Sequence, residues 1–420
     1  MIIVIEIIRK KIGIIGMILF LTGMFFSKAL LSISVALIFL QPFFTYKPSE
    51  LFKRFLQNRH IVLFAVFYAI IIITWFNTED KQGYLIDCWL KLPLLLIPVG
   101  MVWEKWYSKR TFVTFIMILN GLVFTVGIMT FAHYLYFFDE INLLILQSKP
   151  VPIYPSHQIG HIYFGFIQAF SIISGAVFYV KKLPEGYWKK INILSAIGSL
   201  ILIHIIGSRT GLLAFYCSAF VLLIFAGMVL KKYWLSLLFI LGMIILGIVS
   251  TKFIPSLHNR YSNTMIDLKH YYNKEDINYY SISMRIAAWE KTIEVIKDNF
   301  WFGVGYADTL HEIKDRYKEE GSTLKIENQK EPHNQFLEVF AATGIFGFLM
   351  FVYLFFYPLI RIVKQKDPLA LGLMIIMFVT FCIESALEME AGVCFFALIW
   401  ILVNSIEYWD EKENHKLIVK

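Results

Sequence analysis

Glu331-Pro332-His333-Asn334-Gln335-Phe336-Leu337-Glu338-Val339-Phe340 is the point where a polar chain turns apolar. It closes the one long polar segment, 255–335, and opens an apolar run over 336–360. The sequence before Pro255 is apolar too. A polar stretch of this length between hydrophobic neighbours reads as an aqueous loop joining membrane helices. His333 then stands where that loop meets the bilayer, a place suited to chemistry on a lipid-linked substrate.

The composition agrees. Of 420 residues, 58% are hydrophobic and 17% charged, and the mean hydropathy is +0.64. A soluble domain is closer to a quarter charged. Apolar runs of roughly 20 residues recur along the chain, which predicts an all-α polytopic membrane protein. Twelve segments can be counted: 12–26, 28–44, 61–76, 84–102, 111–138, 158–180, 191–207, 209–230, 233–254, 336–360, 369–387 and 391–406. The expected organisation is nine helices over 1–254, a helical loop over 255–335, three helices over 336–406 and a tail over 407–420. The apolar start, with Arg9-Lys10-Lys11 inside it, reads as a retained helix and not a cleaved signal.

Loop charge orients this arrangement. With the N-terminus inside, the inner connections collect basic runs such as Lys181, Lys182, Lys189 and Lys190, or Arg361, Lys364 and Lys366. The short outer connections carry only Lys28, Lys81, Lys149 and Arg209, among acids such as Glu79, Asp80, Asp139 and Glu140. By the positive-inside rule both termini are cytoplasmic and 255–335 faces outward. The net charge of +8 is then largely topological. The bilayer is the expected partner, nothing points to nucleic acid, and the oligomeric state is left open. Cys88, Cys217, Cys382 and Cys394 all lie in apolar runs without metal-ligand spacing, so no disulfide framework is expected.

The outer loop itself carries helical patterning. Ile286, Trp289, Ile293 and Ile296 form one stripe over 283–298, with Ser283 as its N-cap. Phe300-Trp301-Phe302-Gly303-Val304-Gly305-Tyr306 reads as an aromatic turn at headgroup level. A charged helix over 307–320 places Leu310, Ile313 and Tyr317 on one face and ends at Gly321.

Few residues here suit chemistry. Arg209, in Gly207-Ser208-Arg209-Thr210-Gly211, is a cation at the edge of hydrocarbon. It reads as an interfacial anchor or, preferably, as a fork for phosphate oxygens. Arg285 and, ranked lower, Arg260 are further cations in the outer loop. His333 titrates near neutrality and suits general-base work, although such a residue can also simply cap a helix. His157 and His161 form an i,i+4 pair, readable as a cavity wall; no third ligand is evident, and no metal is assigned. His133 and His204 read as satisfied core residues. Glu384, Glu388 and Glu390 cluster near an outer helix end without a clear assignment. A Walker-type phosphate loop, an Asp-x-Asp pair and a Gly-x-Ser-x-Gly elbow are all absent from the sequence. The cytoplasmic connections are too short to hold a nucleotide, so any donor must arrive already activated and membrane-borne.

Two stretches together resemble the O-antigen ligase/polymerase superfamily of bacterial membrane glycosyltransferases. One is Ser208-Arg209-Thr210-Gly211-Leu212-Leu213, opening a span. The other is His333-Asn334 followed by Gly344 and Gly347 on the next helix. Between them lie two spans and a loop with Arg285 and Trp289, in the order that family shows. The likeness covers roughly residues 190–400. It implies a GT-C-like fold and a metal-independent, inverting transfer needing no cofactor. It implies a glycan donor on undecaprenyl diphosphate, with His333 as base and Arg209 and Arg285 on the diphosphate. The acceptor expected first is lipid A-core, as in lipopolysaccharide biosynthesis at the inner membrane. A polymerase of O-antigen or exopolysaccharide and a protein O-oligosaccharyltransferase share the same donor. A polysaccharide transporter or flippase is the reading from another class. Arg260, His157, His161 and Asn334 complete the candidate site at lower rank.

Overall fold

The computed structural model describes residues 2–101, 109–147, 149–156 and 158–405. Among these the regular structure is helical throughout. The first half holds α1 (Ile2–Phe26), α2 (Lys28–Leu40), α3 (Pro48–Gln57), α4 (Arg59–Ile73), α5 (Lys81–Lys91), α6 (Pro93–Met101), α7 (Lys109–Tyr136), α8 (Phe138–Leu146) and α9 (His161–Val180). Then follow α10 (Tyr187–Ile206), α11 (Arg209–Leu230) and α12 (Tyr233–Phe253). The polar segment forms α13 (Pro255–Tyr272), α14 (Ser281–Asp298) and α15 (Tyr306–Glu319). The chain ends with α16 (Gln335–Phe356), α17 (Leu359–Gln365), α18 (Pro368–Ile383) and α19 (Glu390–Ser405).

Eight stretches among the described residues are long and apolar enough to cross a membrane, and a ninth if the bent pair Lys28–Phe44 and Pro48–Gln57 counts as one span. The other segments counted from the sequence fall on α1, α2, α18 and α19. Helix α1 carries Glu6, Arg9, Lys10 and Lys11, and α2, α18 and α19 have only 13, 16 and 16 residues. A straight crossing takes about 20 residues at 1.5 Å each. By length and composition the described residues therefore give eight or nine crossings where hydropathy counted twelve apolar segments.

Helix α9 is the axis of the bundle. It packs against α7, α10, α11 and α18, and 83% of it is buried. Helix α12 is the opposite case, 6% buried, with Leu237, Phe239, Ile245 and Ile248 turned outward. An apolar helix with an apolar exposed surface is what hydrocarbon solvent selects. The nearly continuous run between α10 and α11 does break where the sequence places a break. Gly207 takes φ +66°, closing α10, and the Ser208 hydroxyl accepts from the Gly211 amide to start α11.

Helices α13, α14 and α15 form a cap on one end of the bundle. Helix α13 packs on α8, α10 and α12, while α14 and α15 pack on α16. The cap has its own small core, including Ala287, Val295, Ile313, Tyr317 and Leu324, which continues into Ala341 of α16. The expected stripe of α14 is corrected here. The buried face runs through Ala287, Ala288, Lys291, Thr292, Val295 and Ile296, so of the expected stripe Ile296 is buried whereas Ile293 is exposed. Small side chains let α14 approach its neighbours closely, and that gain outweighs placing every isoleucine inside. Ser283 is not the N-cap either. The helix starts at Ser281, and the Ser283 hydroxyl is buried and donates to the Asp267 carbonyl at 2.6 Å.

The aromatic turn is fastened to α16 through the backbone. At Gly344, φ +66° and ψ −168° interrupt the helix. The amides of Val304 and Gly305 donate to the carbonyls of Ala341 and Ala342, and Ile345 donates to Phe300. The backbone groups freed by the kink are thus satisfied by the turn. A Cβ at Gly344 would run into the Trp301 carbonyl, so the close approach requires glycine.

Candidate functional site

The junction of cap and bundle brings six of the candidate residues together. Arg209 is the first residue of α11, placed by the Ser208 cap, whose hydroxyl also donates to the His161 carbonyl at 3.1 Å. Arg209 Nη1 donates to Thr264 Oγ1 at 3.0 Å, and that hydroxyl donates to the Arg260 carbonyl. Arg260, Thr264 and Asp267 follow one face of α13 at helical spacing. Arg260 is 6% exposed, and its Nε has no partner among the described residues. Burial, reinforced by the nearby Arg209 charge, brings the Arg260 guanidinium down to about 10. Burial pushes the Asp267 carboxyl up, against the Ile282 amide that donates to it and the Arg209 charge. Its Oδ1 likewise lacks a partner among the described residues.

Arg285 projects from the first turns of α14 and is partly buried; burial lowers its guanidinium, against the opposing charge of Glu384. Its Nη2 meets Glu384 Oε2 at 3.2 Å. The other oxygen of that carboxylate, Oε1, lies 3.2 Å from His333 Nδ1. Glu384 therefore bridges Arg285 and His333. Its side chain is 11% exposed, so the bridge is largely out of water. An ionised carboxylate can only accept, so the proton in this contact sits on Nδ1, and in the neutral ring Nε2 is then the nitrogen that can accept a proton.

His333 has φ +46°, left-handed for a residue that is not glycine. Such a conformation costs on the order of 1 kcal/mol and persists where neighbours over-determine it. Here the Trp289 indole donates to the Pro332 carbonyl at 2.5 Å on one side. On the other, the Asn334 carboxamide caps α16, accepting from Phe336 and Leu337 and donating to the Cys382 carbonyl at 3.0 Å. Asn334 thus uses its side chain to hold the loop around His333.

His161 opens α9 and lies within electrostatic reach of Arg260, Glu384, Arg285 and Arg209. Its charged neighbours are thus three guanidinium groups and one carboxylate. His157 lies outside the described residues, so the pairing of the two histidines has no structural counterpart here. Among the described residues, no cluster of three or more His, Cys, Asp or Glu side chains could hold a metal ion. His204 is a core residue, bonded to Leu200 and to the Tyr216 hydroxyl at 2.7 Å each.

Glu384 is the residue that the sequence alone did not single out. The three acids grouped there separate in space. Glu388 pairs with buried Lys91 at 2.6 Å, and Glu390 accepts from Ser32. The stretch from Cys382 to Glu388 is also tied to α16 by Asn334, by the Gln335 carboxamide oxygen on the Leu387 amide, and by a long contact between Ser385 and Glu338. These ties set where Glu384 can stand. Chemically, the junction offers three guanidiniums for an anion and a histidine oriented for proton transfer beside them.

Residues 194–352 match the model of a family described as O-antigen ligase. The match takes in Arg209, Arg260, Arg285, His333, Asn334, Gly344 and Gly347, and stops before Glu384. The chain is also 23% identical over 277 residues to an uncharacterized protein of Haemophilus influenzae. That alignment covers 65% of each chain, so it spans just under two thirds of the relative's length. The family match likens residues 194–352 to O-antigen ligases, within a chain whose described residues include eight helical stretches long and apolar enough to cross a membrane.

Proposed function

We propose that this chain, O-antigen ligase-like over residues 194–352, is a membrane glycosyltransferase that moves a glycan from undecaprenyl diphosphate to a lipid A-core hydroxyl. The cap then faces the periplasm and both termini the cytoplasm of an inner-membrane protein. The observation that carries the reading is the bridge from Arg285 through Glu384 to His333, set beside Arg209 and Arg260. It supports the reading because guanidiniums suited to a diphosphate lie next to a histidine suited to accept a proton.

The transfer balances with these groups alone. The acceptor oxygen forms a bond to the anomeric carbon as the bond from that carbon to the diphosphate oxygen breaks. The departing electron pair stays with the diphosphate, whose growing charge the guanidiniums of Arg209 and Arg285 stabilise. The acceptor proton passes to His333 Nε2, and Glu384 stabilises the imidazolium that results. Attack opposite the leaving group inverts the anomeric centre. Removing one such cation is expected to cost about 100- to 1000-fold in rate.

The test is transfer by the purified protein, with extracted lipid-linked glycan as donor and lipid A-core as acceptor. His333→Ala is expected to abolish transfer while membrane abundance and donor binding persist. Near-normal transfer by that variant removes the base assignment. Absence of transfer by the intact protein, with glycan transport in its place, removes the enzyme reading.

A further inference from the structure

His333 has a second neighbourhood. It also lines a groove of about 600 Å³ on the cap, with Leu310, Lys314, Ile326, Glu327, Lys330 and Glu331 as other walls. None of Arg209, Arg260, Arg285 or Glu384 lines that groove. We infer that this groove is the acceptor subsite and takes the hydroxylated carbohydrate end of the acceptor, with His333 standing between it and the arginine cluster. The inference rests on the transfer reading above and names where its second substrate binds.

Position is the first argument. In a displacement the two substrates must meet at the base, from different sides. The anionic donor belongs on the guanidiniums, so the acceptor enters where His333 is open and the arginines are absent. Chemistry is the second. A sugar hydroxyl both donates and accepts, and the groove offers ammonium donors and carboxylate acceptors around one space. Lys314 and Lys330 have no ion-pair partner among the described residues. Leu310 and Ile326, the latter 72% exposed, supply apolar surface for the C–H faces of a pyranose. An acyl chain would meet four charged walls, and a diphosphate would meet Glu327 and Glu331. The volume lies within the roughly 300–1,000 Å³ usual for small-ligand sites.

The wall is also built in advance. Tyr279 donates its hydroxyl to Glu327 at 2.9 Å. Asn278 Oδ1 accepts from the Lys325 amide and from Asn328 Nδ2, at 2.9 and 2.8 Å. These bonds hold the 325–328 turn against the start of α14. Groups fixed before binding lose less entropy when the ligand arrives.

The experiment is steady-state transfer by the full-length protein in detergent or liposomes, using extracted lipid-linked glycan and lipid A-core. Lys314→Ala with Lys330→Ala is expected to raise the acceptor KM about tenfold or more, since each lysine offers a charged hydrogen bond. The donor KM and kcat are expected to stay within about twofold, the scatter of a remote substitution. Leu310→Trp, which fills the groove, is expected to act in the same direction, with its thermal midpoint confirming the fold. An unchanged acceptor KM in both variants overturns the inference, as does a rise confined to the donor KM. If the intact protein transfers and His333→Ala does not, either outcome removes the groove alone. If the intact protein transfers nothing, the underlying reading falls with it.

Discussion

On the proposed transfer, a diphosphate arriving at Arg285 would compete with Glu384 for the same guanidinium, because the two are already 3.2 Å apart. Glu384 also holds His333 Nδ1, so one carboxylate opposes donor binding and supports the base. These two effects separate in kinetics. Glu384→Gln keeps the size and a hydrogen-bonding oxygen but removes the charge. The donor KM is expected to fall, since Arg285 is freed, while kcat falls about 100-fold, within the range ascribed to proton transfer. Steady-state kinetics with both substrates varied checks this, and a kcat equal to that of the native protein would sink the assignment. A merely structural carboxylate would not tighten the donor. Arg209 and His333 stood out in the sequence because each breaks a local pattern, Arg209 as a lone outer cation and His333 after Pro332 at an apolar boundary, whereas Arg285 was named through the family resemblance. Glu384 broke none. It lies 51 residues from His333 and 99 from Arg285, and only the packing of α14 and α18 on α16 brings them into contact.

Elements were legible where one force acts alone. Helices α14 and α15 begin and end within about two residues of their expected limits, because Gly321 and the turn at 300–305 are local signals. The face that α14 buries was not legible. Its isoleucines suggested one stripe, but contact with α16 favours the small residues Ala287, Ala288 and Thr292. The glycines on α16 also had a reason that no hydropathy pattern contains. Gly344 carries a positive φ where the aromatic turn replaces the helix's own hydrogen bonds. Gly344→Ala meets both a forbidden backbone region and the Trp301 carbonyl. The cost is expected to reach about 3 kcal/mol. Thermal unfolding in detergent should show a lower midpoint, and proteolysis should cut first between α14 and α15. A native midpoint would mean that the kink does not carry the docking of the turn.

At the scale of the whole molecule, hydropathy identified a polytopic helical protein and the break at Gly207, but it treated helices of 13 to 16 residues as full crossings. Such short elements can meet the requirement of lipid only in company, and all three have that company, α18 through α9 and α11. Helix α19 packs on α6 and α18, and α2 packs on α1 and α6. Orientation is a separate question, since packing is the same whichever side faces the cytoplasm. It is decided by charge: basic connections such as 181–190 resist translocation, and outer turns rich in Glu and Asp do not. The proposed orientation puts the cap outside, where a glycan carried on the outer leaflet would reach His333. Thr323 and Glu185 are exposed on the cap and on one basic connection, so they report the two sides. Thr323→Cys is expected to react in intact spheroplasts with a membrane-impermeant thiol reagent. Glu185→Cys is expected to react only after the membrane is opened. The native cysteines are half-buried or buried, and the unsubstituted protein supplies their background. The reverse pattern would place the cap in the cytoplasm, away from any outer-leaflet donor. The arginine cluster would then need a different anion, even with its geometry unchanged.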